Sequence, residues 1–153
     1  MTPDFRDILT IFNSHGVEYL LVGGYATGAH GHSRYTRDFG PWALGTDDNA
    51  ARVADAVREF GFDVAGLSAD TFTSGVRTKV IQMGREPNRI EILTAIDGVS
   101  FVDCRPRALA VEWDGVTVPV IGRDDLLANK RASGRPQDLA DVAALEAVIA
   151  AGG

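Results

Sequence analysis

The sequence predicts an α/β (α+β) domain in which helices cover a sheet with some antiparallel pairing. Three observations lead to this fold class. Helical apolar stripes open and close the chain, short apolar runs bounded by glycine, proline or asparagine lie between them, and an Asp-Gly pair joins two of these runs. The 153 residues suit one core, so we expect a single domain over 1–153.

The first half alternates helices and strands. Apolar residues recur at helical spacing in FRDILTIFNSHG, and VEYLLVGG then predicts a buried strand. A short helix is expected after Gly24, in YATGAHGH. The segment RYTRDFGPWAL predicts a second strand, interrupted at Gly40 and Pro41. Thr46 is placed to cap a helix over DDNAARVADAVREF, which ends at Gly61.

The second half holds four predicted strands and two predicted helices. After the irregular stretch FDVAGLSADTFTSG, the strands VRTKVIQM and RIEILTAI are joined by GREPN. The segment SFVDCRPRA is either irregular or a short helix. ALAVEWDGVTVPVIG predicts a hairpin that turns at its Asp-Gly pair. The last segment divides into two helices at Gly134, with Pro136 near the start of the second.

Composition is that of an ordinary globular protein, with 45% hydrophobic and 24% charged residues. No apolar run approaches the roughly 20 residues that span a bilayer, and the first residues lack the basic start of a secretory signal. The single Cys104 cannot form an internal disulfide, so we expect a cytoplasmic protein. A net charge of -6 argues against non-specific binding to nucleic acid.

Three features occur in the order that phosphate chemistry requires. Gly23 and Gly24 end a strand and open a helix, where glycine permits close approach to a phosphate, although such a pair is often a simple turn. Asp38 lies on the next strand, and a second acid at position 40 would face the same way, but that residue is glycine. Glu91 lies in the apolar run RIEIL, so it either has a partner or metal or faces outward.

Three segments carry a family resemblance: LLVGGYATGAHGHSRYTRDFGPWAL, RIEILTAIDGVSF and VPVIGRDDLLANKRASGRPQDLADV. Together they resemble small bacterial nucleotidyltransferases, and are similar to minimal nucleotidyltransferases and AbiEii-type toxins, from about residue 4 to about residue 146. The resemblance implies a mixed sheet flanked by helices, with further helices at the C-terminus. It also implies that acids bind Mg²⁺, that the metal holds the triphosphate of an NTP, and that the third acid helps to activate the attacking hydroxyl.

The resemblance maps the family motif onto individual residues. Gly23 and Gly24 match the glycine turn, Asp38 matches the first acid, and Glu91 matches the third. Gly40 replaces the second acid. Asp38 and Glu91 are therefore the expected catalytic and metal-binding pair, with a single Mg²⁺ that relies partly on substrate phosphates.

Other charged residues have two interpretations. Lys130, in the basic stretch KRASGR, is expected to neutralise the triphosphate, and the alternative is ion pairing along a helix face. Asp47 and Asp48 are the nearest later acids, and they fit a helix start better than a metal site.

Three functions remain open. The first is Mg²⁺-dependent transfer of a nucleoside monophosphate from NTP to a hydroxyl of a small molecule, protein or RNA, weakened or lost because of Gly40. The second is a non-catalytic nucleotide-binding module, or an interaction module of a toxin–antitoxin or defence system, with an antitoxin partner or a second copy of the chain. The third is a different reaction in the same cleft. Gly40 and Pro41 favour the second, whereas the glycine turn and Glu91 favour the first.

Overall fold

The computed structural model of the protein describes residues 2–34, 36, 38–62, 79–83 and 89–152. For Asp38, Lys79 and Val80 it describes the backbone. The helices within these residues are α1 (Pro3–Ser14), α2 (Gly23–Ala29), α3 (Asp47–Phe60), α4 (Phe101–Cys104), α5 (Arg123–Ser133) and α6 (Pro136–Ala150), with a 3₁₀ turn at Arg105–Arg107. The strands are β1 (Tyr19–Leu21), β2 (Asp38–Phe39), β3 (Pro41–Ala43), β4 (Lys79–Met83), β5 (Arg89–Leu93), β6 (Leu109–Trp113) and β7 (Val116–Val120).

These seven strands form one mixed sheet. β5 pairs with β2, with β3 and with β4, and the sheet continues from β3 through β1 and β7 to β6. β5 runs parallel to both β2 and β3, whereas the pairs β1–β3, β4–β5 and β6–β7 are antiparallel. β1 and β7 are parallel. The predicted mixture of α and β structure with some antiparallel pairing is confirmed.

β2 and β3 are two pieces of one strand. Asp38 lies beside Arg89 and Trp42 lies beside Leu93, so the register along β5 is the same on both sides of Gly40. Proline has no N–H to donate to a ladder. Pro41 therefore accounts for the interruption that the sequence predicts, and the strand continues beyond it without a shift.

Local signals set the ends of the long helices. Thr46 caps α3, where its Oγ1 accepts a hydrogen bond from the N–H of Asn49, and the helix ends at Gly61 with φ 109°. α5 ends at Gly134 with φ 67°, and Pro136 is the first residue of α6. The predicted boundaries of these helices are confirmed, as is the placement of Asp47 at a helix start.

The Asp-Gly hairpin is also confirmed. β6 and β7 pair antiparallel from Leu109 opposite Val120 to Trp113 opposite Val116. Asp114 and Gly115 form the turn with φ 48° and 81°. Two successive positive φ values are the requirement of a type I′ turn, which matches the twist of the strands.

The core lies between the sheet and α1, α3 and α5. Its largest fully buried side chains are Trp42, Phe5, Phe12, Phe39, Ile8, Leu9, Leu20, Leu21, Ile90, Ile92 and Ile121. Phe5 of α1 stacks on Phe39 of β2 with ring centroids 4.5 Å apart, and Tyr25 of α2 meets Phe39 edge-on at 5.4 Å. The ring of Phe39, the residue before Gly40, thus packs β2 against both α1 and α2.

Some sequence expectations need adjustment. The helix expected after Gly24 begins two residues earlier, at Gly23. The segment SFVDCRPRA forms a four-residue helix followed by a 3₁₀ turn. The irregular stretch FDVAGLSADTFTSG beyond Phe62 and the link GREPN lie outside the described residues. Within the described part of the chain, no helix is both long and apolar enough to cross a bilayer.

Candidate functional site

A cleft of about 400 Å³ brings together segments that are distant in the sequence. We call it the cleft. Its lining residues come from the β1–α2 junction, the loop before β2, Gly40, and β5 with the segment after it. The others belong to α5, to α6 and to the link between them. The lining residues are Val22, Gly23, Gly24, Arg34, Thr36, Gly40, Glu91, Leu93, Ala95, Ile96, Asp97, Asn129, Lys130, Ser133, Arg135 and Asp138. Gly23, Gly24, Glu91 and Lys130 were all predicted as site residues.

The strand register places Gly40 beside Glu91. A Cβ atom built on Gly40 would lie 3.6 Å from the carbonyl oxygen of Glu91 and 3.7 Å from Cδ1 of Leu93. These are ordinary van der Waals distances, so a side chain fits at this position. Gly40 and Glu91 both line the cleft. The side chain of Asp38 itself lies outside what the structure describes.

The two glycines of the turn differ in their surroundings. Gly23 has φ +76°, and a Cβ built on it would meet no atom within 4 Å. A Cβ on Gly24 would lie only 2.8 Å from Cβ of Thr36. Glycine is therefore required at Gly24 because Thr36 packs against the backbone, whereas the space above Gly23 is open. The two glycines therefore meet different requirements, a positive φ at Gly23 and the close approach of Thr36 at Gly24.

Glu91 is buried, with 6% of its surface exposed. Nε of Arg89 lies 3.2 Å from its Oε1, and Arg89 is two residues earlier on the same strand. The alternative in which Glu91 faces outward on a half-buried strand is therefore wrong. A buried carboxylate costs free energy unless a cation or donors compensate it, and Arg89 provides part of that compensation.

Lys130 is also buried, with 2% of its surface exposed. Its Nζ donates to Oδ2 of Asp141 at 2.8 Å and lies 3.5 Å from Oδ1 of Asp138. Both partners are on α6, so these ion pairs link two helices. Lys130 thus forms the ion pairs that the alternative interpretation predicts, but these pairs are buried and link two helices instead of following one helix face. Lys130 also borders the cleft.

Asp141 connects Lys130 to the loop before β2. Arg34 donates from Nε to Oδ1 at 2.8 Å and from its terminal nitrogen to Oδ2 at 2.9 Å. Burial by itself would raise the pKa of the fully buried Asp141, but hydrogen bonds from Arg34 and Lys130 outweigh it and hold the pKa below its ordinary value. We call Arg34, Lys130, Asp138 and Asp141 the Asp141 network.

Asp138 has its own set of donors. The hydroxyl of Ser133 donates to its Oδ2 at 2.6 Å, and Nε of Arg135 donates to the same oxygen at 2.8 Å. Burial would raise the pKa of Asp138, but these bonds and the nearby charges of Arg135 and Lys130 lower it instead. Both carboxylates of the network are thus held ionised by cations that border the cleft.

Charged groups of both signs line the cleft. Glu91 and Asp97 belong to β5 and the segment that follows it, and Asp138 belongs to α6. Arg34, Lys130 and Arg135 come from the loop before β2, from α5 and from the link between α5 and α6, and each of them pairs with Asp138 or Asp141. A polyanion that carries a divalent cation matches such a lining, since it presents both signs of charge.

The donor chemistry of the cleft suits a hard cation held by few protein oxygens. Within the described ranges, no three His, Cys, Asp or Glu side chains converge as a metal site would require. Glu91 offers carboxylate oxygens, which Mg²⁺ prefers, but Arg89 occupies one of them. Mg²⁺ commonly uses one or two carboxylates with water and substrate phosphates. A single ion completed by substrate oxygens therefore fits, whereas a site built from protein ligands alone does not.

Comparisons with known proteins identify the fold. No family model and no curated protein sequence matches the chain. Among solved structures, one from Thermotoga maritima described as a candidate nucleotidyltransferase superposes with a TM-score of 0.59 and 14% sequence identity. The match covers 95% of this chain and 89% of that one. The chain therefore has a nucleotidyltransferase-like fold, a mixed sheet flanked by helices, as the sequence predicts.

Proposed function

We propose that the protein binds an NTP with Mg²⁺ in the cleft, and that it transfers nucleoside monophosphate to a hydroxyl acceptor at a strongly reduced rate. One observation carries this proposal: the open glycine turn at Gly23, the buried Glu91 and the buried Lys130 line one cleft, although they lie far apart in the sequence. The nucleotidyltransferase-like fold is consistent with this location.

The cations that line the cleft would bind the triphosphate. Arg34 and Lys130 are already ordered by Asp141, so little side-chain entropy is lost when they meet a phosphate. Guanidinium and ammonium groups form strong charge-assisted hydrogen bonds to phosphate oxygens. The open space above Gly23 lets phosphate oxygens approach the backbone at the turn.

The carboxylates would bind the metal. Asp38 and Glu91 would hold Mg²⁺. The bound ion would neutralise the charge that develops on the transferring phosphoryl group. Since Gly40 offers no carboxylate, the second ion of a two-metal arrangement lacks a ligand here. Loss of groups that support a metal site commonly costs 10–100-fold in affinity or activity, so we expect slow transfer.

The test restores the missing acid with Gly40→Asp and uses Gly40→Asn as an uncharged control of the same size. A Cβ at position 40 makes only ordinary contacts, and Gly40 lines the open cleft. ATP affinity would be measured by calorimetry with and without Mg²⁺, and nucleotidyl transfer by release of pyrophosphate. We expect Gly40→Asp alone to strengthen the Mg²⁺ dependence and raise transfer by about 10–100-fold. Equal behaviour of both variants and the wild type would refute the catalytic proposal.

The non-catalytic alternative rests on Gly40 and Pro41. In this alternative the cleft only binds a nucleotide, or the chain acts as an interaction module in a toxin–antitoxin or defence system. An aspartate at position 40 should then change neither ATP affinity nor transfer. Tight ATP binding that does not require Mg²⁺, without turnover in the wild type and in Gly40→Asp, would support this alternative over the first.

A further inference from the structure

A second cavity of about 610 Å³ adjoins the cleft. We call it the side cavity, and it lies between α2, the loop before β2, the N-terminal residues and β6. Its lining residues are Thr2, Gly24, Tyr25, Gly28, Ala29, Ser33, Arg34, Thr36, Val111 and Trp113. Gly24, Arg34 and Thr36 also line the cleft, so the two spaces share one wall.

The side cavity has an aromatic and apolar lining. The rings of Tyr25 and Trp113 meet edge-on, with centroids 5.8 Å apart and planes at 75°. Val111 and Ala29 add aliphatic surface, and Ser33 contributes a hydroxyl group. Aromatic faces with a few polar groups are typical of sites that bind a planar heterocycle.

We propose that the side cavity binds the nucleobase of the NTP whose triphosphate lies in the cleft; this inference rests on the proposed function. Arg34 lies at the shared wall, fixed by its two hydrogen bonds to Asp141. A nucleotide that contacts Arg34 through its phosphates would have its base on the far side of that residue, against Trp113.

The lining also distinguishes the nucleobase from the acceptor. A hydroxyl acceptor must approach the acids that activate it, and the described residues that line the side cavity include no carboxylate and no histidine. Glu91 and Asp97 lie in the cleft instead. The side cavity therefore suits the part of the substrate that takes no part in proton transfer, which is the base.

The first experiment compares ATP with inorganic tripolyphosphate, which has the phosphates but lacks a base. Both affinities would be measured in Mg²⁺ for the wild type, Trp113→Ala and the control Leu109→Ala, a partly exposed residue of the same strand that lines neither space. Loss of base stacking predicts that Trp113→Ala weakens ATP binding about 5- to 150-fold. Tripolyphosphate affinity should stay unchanged, and Leu109→Ala should leave both affinities unchanged.

The second variant, Gly28→Leu, fills the side cavity without removing any packing. A Cβ at Gly28 would lie 3.7 Å from Oγ of Ser33, an ordinary contact, and leucine favours a helix more than glycine does. This variant should fold, bind tripolyphosphate and lose ATP affinity. In the wild type, ATP but not tripolyphosphate should also change the fluorescence of Trp113, since the other tryptophan, Trp42, is buried in the core.

The outcomes separate the two proposals. If the wild type binds ATP and neither Trp113→Ala nor Gly28→Leu changes the affinity, the nucleobase site is wrong. The proposed function would still stand. Wild-type protein that binds neither ATP nor tripolyphosphate would overturn the proposed function, and the nucleobase site with it.

Discussion

Asp141→Asn would remove the charge that holds the Asp141 network together. Asparagine has nearly the same size, so the substitution creates no cavity. Asp141 is fully buried and accepts hydrogen bonds from Arg34, Lys130 and Gln137. After the change, Asp138, at 3.5 Å, would be the one negatively charged partner that Lys130 keeps among the described residues.

The magnitude follows from the burial of both partners. Breaking a buried ion pair by removal of one charge typically costs about 3–5 kcal/mol, because the other charge is left uncompensated. For a chain of this length, 1 kcal/mol shifts the melting temperature by about 2–4 °C, so we expect a decrease of about 6–20 °C. Urea unfolding would give the free energy directly, and an unchanged m-value would show that the denatured state is unaffected.

Glu146→Gln is the matched control on the same pair of helices. Glu146 pairs with Arg131 between α5 and α6, and both side chains are 53% exposed. Exposed ion pairs contribute about 0–1 kcal/mol. If Asp141→Asn were to lose no more free energy of unfolding than Glu146→Gln, the interpretation of the network as buried and coupled would be wrong.

The pH dependence has a definite sign. The folded pKa of Asp141 lies below the ordinary value of 3.8, so its contribution is present above that value and is lost as the pH falls through the folded pKa. The stability of the wild type should decline as the pH falls below about 4, and Asp141→Asn should show a shallower decline. Urea titrations between pH 7 and pH 3 would measure the difference, and parallel curves would contradict it.

Two further predictions concern packing. Gly98 and Gly115 have similar φ values of 78° and 81°, but a Cβ at Gly98 would lie 2.6 Å from Cβ of Ala132, whereas one at Gly115 would meet open space. Alanine at Gly98 should therefore cost about 1–3 kcal/mol more than alanine at Gly115 in thermal unfolding, and equal costs would contradict the geometry. Burial, and secondarily the charge of Asp125, raises the pKa of the Cys104 thiol to about 11. An aromatic disulfide reagent at pH 8 should therefore react with this thiol only after denaturant is added, and rapid labelling of the folded protein would contradict its burial.

Local signals explain why much of the fold was predictable. The turn at Asp114 and Gly115 and the helix between Thr46 and Gly61 depend on residues within a few positions of each other. Their physical causes, positive φ values and a capped first turn, are visible in a short window of sequence. Such elements were predicted with nearly correct ends.

The site depends on contacts between distant residues, which local patterns do not reveal. Asp141 lies close to Lys130 in the sequence, so their pairing could be expected from local spacing. Its pairing with Arg34, 107 positions away, could not. The contact between Gly24 and Thr36 likewise depends on how the loop returns over α2. Hydrophobic periodicity predicts that a strand is buried, but it does not give the neighbouring strand that places Gly40 beside Glu91.

A crystal structure with Mg²⁺ and a non-hydrolysable ATP analogue would test the central claim most directly. We expect the triphosphate beside Gly23, within hydrogen-bonding distance of Arg34 or Lys130, and the metal between the phosphates and Glu91. Density for the analogue elsewhere on the protein, or a cleft without it at saturating concentration, would contradict the account.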